Sequence, residues 1–210
     1  MSIQDSTSTS GRTDIPVRKT TEHTPPRQFA PEHMATTRVP VAAQAMAVLR
    51  IIMGLTFLWA FLDKTFGLGY ATSSAQAWIH GGSPTKGFLA HVYVGPVQDT
   101  LRSWAGAGWA DWLFMLGLLS IGLALLFGVG VRLSAVAGTI LLASMWTAEW
   151  PLAQHTATGT ATASTNPLID YHLVYIAVII VLALFAAGET WGFGKLWAKL
   201  DLVRRHPWLR

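Results

Sequence analysis

The run WLFMLGLLSIGLALLFGVGV, Trp112 to Val131, holds twenty residues without a single charge. About 20 apolar residues at 1.5 Å rise cover the ~30 Å hydrocarbon core of a bilayer. Backbone at that depth finds no water, so it must satisfy its own N–H and C=O groups within a helix. One such helix does not settle the rest of the chain, and here composition enters. The chain is 51% hydrophobic but only 12% charged, where soluble domains carry roughly a quarter charged residues. Three further apolar stretches, 41–66, 133–150 and 167–188, accompany the first. Gly128, Gly130 and Arg132 mark a tight turn between the second stretch, 112–131, and the third, which makes them an antiparallel hairpin. The expected fold is all-α: a bundle of four transmembrane helices within residues 41–190.

The flanks set the topology. Residues 1–40 are rich in Ser, Thr and Pro with no apolar run; without the apolar centre of a signal peptide they read as a disordered tail that stays in the cytoplasm. Arg12, Arg18, Lys19, Arg27 and Arg38 lie in that tail, and Arg132 in the hairpin turn. Lys195, Lys199, Arg204, Arg205 and Arg210 lie at the other end, whereas the two long loops hold only Lys86 and Arg102. Positive charge accumulates on the cytoplasmic side, so both termini are expected there. Residues 191–210 place Trp191, Phe193 and Trp197 beside these basic groups, the pattern of a short interfacial helix on anionic lipid. The loop from Gly67 to Ala110 is long and partly apolar, and is expected to fold back over the outer end of the bundle.

Several chemistries are set aside. With no cysteine, thiol exchange, thiolate metal sites and iron–sulfur clusters are excluded. Paired helix histidines for haem are missing, as are zinc spacings, a P-loop and a dinucleotide glycine motif, so no haem or metal is expected. The net charge of +4 is explained by topology, without nucleic acid as a partner.

What remains is a set of ionisable residues where a membrane helix should have none. RIIMGLTFLWAFLDK, residues 50–64, brackets a dozen uncharged residues with Arg50 and the pair Asp63–Lys64. The uncharged run from Leu133 to Ala148 spans ~24 Å, which brings Glu149 to the outer boundary; the same arithmetic brings in His172 and Asp170. Asp111 stands at the mouth of the second stretch. Asp63, Lys64, Glu149, Asp170 and His172 are thus expected at one end, sharing a sheltered polar chamber, because unpaired charges in lipid cost ~2.5–3.5 kcal/mol each. Arg50 and Lys64, fourteen residues apart, share a helix face with Gly54, Phe57 and Phe61. Asn166 is the expected N-cap of the last helix, with Pro167 its first residue. On a helical wheel Asp170 and His172 point in nearly opposite directions, while Tyr171 and Tyr175 share a stripe.

RIIMGLTFLWAFLDK, WIHGGSPTKGFL, GLALLFGVGVRLSAVAG and NPLIDYHLVYIAVIIVLALFAAGETWGFGKLW together resemble the DoxX family, over about residues 45–200. The resemblance rests on R-x-x-x-G…D-K with the later N-P-x-x-D-x-H. That family is related to the DoxD subunit of thiosulfate:quinone oxidoreductase. The resemblance implies a multi-pass protein of the bacterial inner membrane, in some members part of a quinone-linked redox complex. The expected function is accordingly a quinone-linked redox subunit, an oxidoreductase component with sulfur compounds as its substrate class. In that reading Phe57, Trp59 and Phe61 line the ring slot, Lys64 and His172 donate to the quinone oxygens, and Asp63, Glu149 and Asp170 carry protons. Arg50 binds an anionic substrate or lipid, at ~21 Å from Lys64 along the helix. The alternative is a non-catalytic membrane scaffold that docks a soluble redox protein or second subunit; a small transporter or lipid-binding protein ranks third.

Overall fold

The computed structural model describes residues 39–210; the tail expected over 1–40 lies almost entirely outside them. Four apolar helices dominate, and glycine or left-handed backbone closes the first three. Helix α1 spans Val41–Phe66 and stops at Gly67, whose φ of 64° lies in the left-handed region that favours glycine and whose N–H returns to the Asp63 carbonyl at 2.8 Å. Helix α2 spans Gly108–Phe127 and ends at Gly128 with φ 69°. Helix α3 runs Val131–Glu149 and is stopped by Trp150 at φ 42°, ahead of Pro151. Helix α4 spans Tyr171–Leu184. Among the described residues there is no strand, only an isolated bridge between His155 and Ala161.

Helices α1, α2 and α3 are each long and apolar enough to cross a membrane, which makes this a multi-pass membrane protein. Helix α4 has 14 residues, ~21 Å of rise. It is shorter than the 167–188 expected from hydropathy, for a reason visible at its start. Asn166 accepts from the N–H groups of Leu168 and Ile169 at 3.0 and 3.1 Å, closing a local turn. The cap is Asp170, in extended backbone, accepting from the Leu173 N–H at 3.1 Å. The side-chain amide that signals a helix start in sequence has here been spent on a turn that delays it.

Helices pair unequally. α1 packs chiefly along α2, and α3 along α4, with a looser seam between α2 and α3. Glycine permits the first pairing: a Cβ on Gly54 would lie 2.6 Å from the Leu126 backbone nitrogen, and one on Gly122 would lie 2.9 Å from that of Leu58. Backbones can approach this closely only where both surfaces are bare, the usual basis of helix association in lipid. Met53, Phe57, Met115, Ile121, Leu125, Ile179 and Leu182 fill the centre. Leu113 and Ile140 point outward, 68% and 67% exposed, as lipid-facing residues should.

The segment between α1 and α2 covers one end of the bundle, called here the Lys64 end. It contains 3-10 turns at Ser74–Gln76 and Trp78–His80 and short helices at Lys86–Leu89 and Gln98–Ser103. Trp78 packs on the central core and meets Trp112 edge to face at 4.7 Å. Val92 and Leu101 are buried with Ala148 of α3 in a smaller cluster. At the opposite end the C-terminal stretch breaks into short pieces, Gly194–Trp197, Asp201–Arg205 and Pro207–Leu209, where one interfacial helix was expected. It is tied to the α2–α3 turn: the Phe193 N–H donates to Phe127 O at 2.8 Å, and the Arg132 N–H to Arg210 O at 2.7 Å. The Arg132 guanidinium donates to Pro207 O at 3.1 Å.

Candidate functional site

The ionisable residues singled out in the sequence do not meet in one chamber. They divide into four environments.

Arg50 is fully buried at the end of the bundle away from Lys64. Its Nε donates to Ala187 O at 3.1 Å, Nη1 to Leu125 O and to Leu126 O at 2.8 Å, and Nη2 to Trp191 O at 2.9 Å and Thr190 O at 3.4 Å. A guanidinium has five N–H groups, and all five are committed to carbonyls. Two of these carbonyls belong to the last turn of α2, where helix geometry leaves C=O groups unpaired and a cation is favoured. The other three belong to the irregular chain after α4. Arg50 is therefore a pin joining α1 to two chain ends, with no donor left for a substrate anion.

Asp63 and Asp111, both buried, fasten the loop over the Lys64 end. The two carboxylate oxygens of Asp63 accept from the N–H groups of Tyr70 at 3.3 Å and Ala71 at 3.0 Å. Asp111 Oδ1 accepts from Ser83 Oγ at 2.9 Å, from the Thr85 N–H at 2.9 Å and from Thr85 Oγ1 at 2.6 Å. Both carboxylates are thus occupied by N–H and hydroxyl donors of the loop. Asp63, expected to carry protons, is occupied in holding the chain that follows α1.

Glu149, Asp170 and His172 do come together, though not as the helical wheel predicted. Asp170 Oδ2 lies 2.7 Å from His172 Nδ1, and Glu149 Oε2 lies 3.8 Å from the same nitrogen. The wheel fails because Asp170 is the cap: its φ of −112° and ψ of −179° take it off the helical path, so the 100° per residue rule does not apply to it. The Tyr171 hydroxyl donates to Glu149 Oε1 at 2.8 Å, and the Tyr171 ring meets Tyr175 edge to face at 5.9 Å.

Lys64 follows Asp63 in the chain and feels its charge, but its side chain leads elsewhere. It belongs to none of the ion pairs among the described residues. Its side chain lines a cavity of about 500 Å³ between α2 and α3, beneath the α1–α2 segment. Trp109, Leu113 and Gly117 of α2, Ile140, Ser144 and Met145 of α3, and Thr85, Phe88 and Trp104 of the overlying segment form its walls. The lining is overwhelmingly apolar, and Lys64 is its single charged residue. Because Leu113 and Ile140 are also among the most exposed apolar side chains, the cavity opens sideways onto the lipid-facing surface.

The ring slot expected from Phe57, Trp59 and Phe61 is absent from this cavity. Phe57 is buried in the central core, with Phe61 packed against it. Trp59 is on the surface, edge to face with Tyr70 at 5.1 Å. The apolar walls come instead from the α2–α3 seam, which periodicity did not flag: a tight turn joins the two helices at one end and says nothing of how far they stay in contact. The available signal was the small residues Gly117 and Ala137 on facing helices, which leave volume where Leu would fill it. A second cavity, about 70 Å³, lies under the C-terminal stretch near Gly188, Trp197 and Arg210, large enough only for a few waters.

No family model, curated protein or solved structure matches the chain.

Proposed function

We propose that the protein takes a membrane-borne quinone-type ring into the cavity at its Lys64 end, and serves as the quinone-binding subunit of a redox assembly. The observation that carries this reading is an apolar cavity of about 500 Å³, open toward lipid, with one ammonium in its wall that joins no ion pair among the described residues. That volume lies in the range of small-molecule sites, which are mostly apolar with few polar groups to fix orientation. Trp104 and Trp109 offer aromatic faces to a planar ring, and the Lys64 ammonium donates to a ring carbonyl oxygen and favours negative charge developing there on reduction. The Thr85 and Ser144 hydroxyls in the same walls already donate, to Asp111 and to the Leu141 carbonyl. The resemblance to the DoxX family points the same way. Electrons come in this reading from a second subunit or a soluble redox protein, with sulfur compounds as the substrate class the resemblance suggests.

Titration of the purified chain with a short-tailed quinone, followed by thermal unfolding, tests the proposal, because a ligand selective for the folded state raises the midpoint by mass action. Wild type is expected to gain stability, with Lys64→Met requiring roughly tenfold more quinone, about 1.4 kcal/mol. Gly117→Leu, which fills the cavity, is expected to abolish the gain. Equal responses from all three proteins, or none from wild type, would refute the quinone site and leave the membrane scaffold as the better reading.

A further inference from the structure

Glu149, Asp170 and His172 are absent from the walls of the Lys64 cavity, so whatever they do is separate from quinone binding. One potential ligand atom from each lies within 4.8 Å of the other two. We propose that they form a binding site for one divalent transition-metal ion, of the Zn2+ or Mn2+ type, at the junction of the α3 C-terminus and the α4 N-terminus.

The argument rests on how each carboxylate is used. Asp170 Oδ1 is held by the Leu173 N–H at 3.1 Å, and Glu149 Oε1 by the Tyr171 hydroxyl at 2.8 Å. The remaining oxygens, Asp170 Oδ2 and Glu149 Oε2, both approach His172 Nδ1, at 2.7 and 3.8 Å. Each carboxylate therefore has one oxygen fixed by the protein and the other aimed at a common point. This is the arrangement in which outer hydrogen bonds orient metal ligands. Ligands at ~2.0–2.2 Å from an ion are separated by about 3.0–4.2 Å. The 3.8 Å spacing already fits, and the 2.7 Å contact needs to open by only a few tenths.

A second observation comes from the imidazole itself. His172 is wholly buried, and its Nε2 has no hydrogen-bond partner among the described residues. Its polar contacts among the described residues are the two carboxylates, both at Nδ1. With the ring proton on Nε2, the Nδ1 lone pair faces the Asp170 and Glu149 oxygens, with Glu149 at the exposed edge of the cluster. One nitrogen and two oxygen donors suit borderline Zn2+ best and admit Mn2+, whereas Ca2+ takes oxygen ligands.

The test uses the full chain, purified and stripped with a chelator, with Zn2+ alone as titrant in a calorimeter. One Zn2+ per chain is expected. Glu149→Gln, at a partly exposed position that folding tolerates, is expected to weaken binding tenfold or more, and Asp170→Asn likewise. Asn caps a helix as well as Asp does, so the metal-free unfolding midpoint of Asp170→Asn should stay near wild type, which separates lost ligation from lost fold. His80→Gln with His91→Gln, both exposed and outside the cluster, should leave affinity unchanged. Wild-type affinity in Glu149→Gln and Asp170→Asn, loss of binding in the His80/His91 variant, or no binding at all overturns the proposal. Glu149→Gln should keep the full quinone response, so failure here and failure at the cavity can be told apart.

Discussion

Replacing Arg50 offers the sharpest test of whether its burial is structural. In Arg50→Met five donated hydrogen bonds disappear, but the losses are unequal. Leu125 O also accepts from the Gly128 N–H at 3.2 Å, so it keeps a partner, and the Thr190 contact at 3.4 Å is weak. That leaves Leu126, Ala187 and Trp191, at 2.8, 3.1 and 2.9 Å, as carbonyls that lose a strong charged donor. An unsatisfied buried acceptor costs about 1–3 kcal/mol, so the gross loss is roughly 3–9 kcal/mol. Part of it is recovered because a buried guanidinium no longer has to be stripped of water, and a net loss of about 3–5 kcal/mol is in line with breaking a buried charged contact. At ~2–4 °C per kcal/mol for a chain of this size, the midpoint should fall by some 6–20 °C. Arg50→Lys keeps the charge but has three N–H groups for the same carbonyls, and should fall between wild type and Met. Thermal unfolding in a fixed detergent gives the order, and hydrogen exchange should show protection lost first over residues 187–193 and the end of α2. If Arg50→Met unfolds within a degree of wild type while losing affinity for an anionic ligand, the pin is wrong and a substrate role for Arg50 returns.

Two further perturbations address the framework. Gly54→Ala should destabilise the bundle by about 1–3 kcal/mol, the usual cost of overpacking, because its new methyl meets backbone of α2 at 2.6 Å and one helix must shift; a thermal midpoint equal to wild type would contradict the close approach. Asp111→Ala removes the acceptor shared by Ser83 and Thr85 and should expose residues 83–104 to limited proteolysis while the helices stay intact; an unchanged cleavage pattern would show that Asp111 does not hold the loop.

Much of the architecture was readable because the physics that sets it is local. An uncharged twenty-residue run, two glycines and a lone arginine point to two helices and a turn, although α2 lies at Gly108–Phe127, four residues ahead of the expected 112–131, because Gly128 ends it. The limits of α4 were not readable, since Asn166 offers the same chemistry to a turn as to a helix cap and only the chain around it decides between them. The same limit hid the Asp170–His172 contact: a wheel presumes helical backbone, and the cap residue has none. Charged residues were correctly singled out as anomalous, but sequence cannot show which donors reach them. Arg50 and Asp63 are satisfied by backbone groups, which every residue carries and which leave no signature, and Asp111 by two hydroxyls and one N–H from a distant loop. The cavity was the least legible feature, because it is defined by side chains that are too small and by a seam that does not close.

That open seam changes what concentration means for anything that binds there. A guest drawn from the bilayer arrives already dissolved in hydrocarbon, so burying its tail in the protein releases little further water and most of the hydrophobic gain has been collected on partitioning. Occupancy should then follow the guest's mole fraction among the lipids, so that adding empty vesicles dilutes the site even when the total amount of guest is held constant. Selectivity among guests with equally greasy tails must come from the few polar atoms in the wall, where a single amine has no rival.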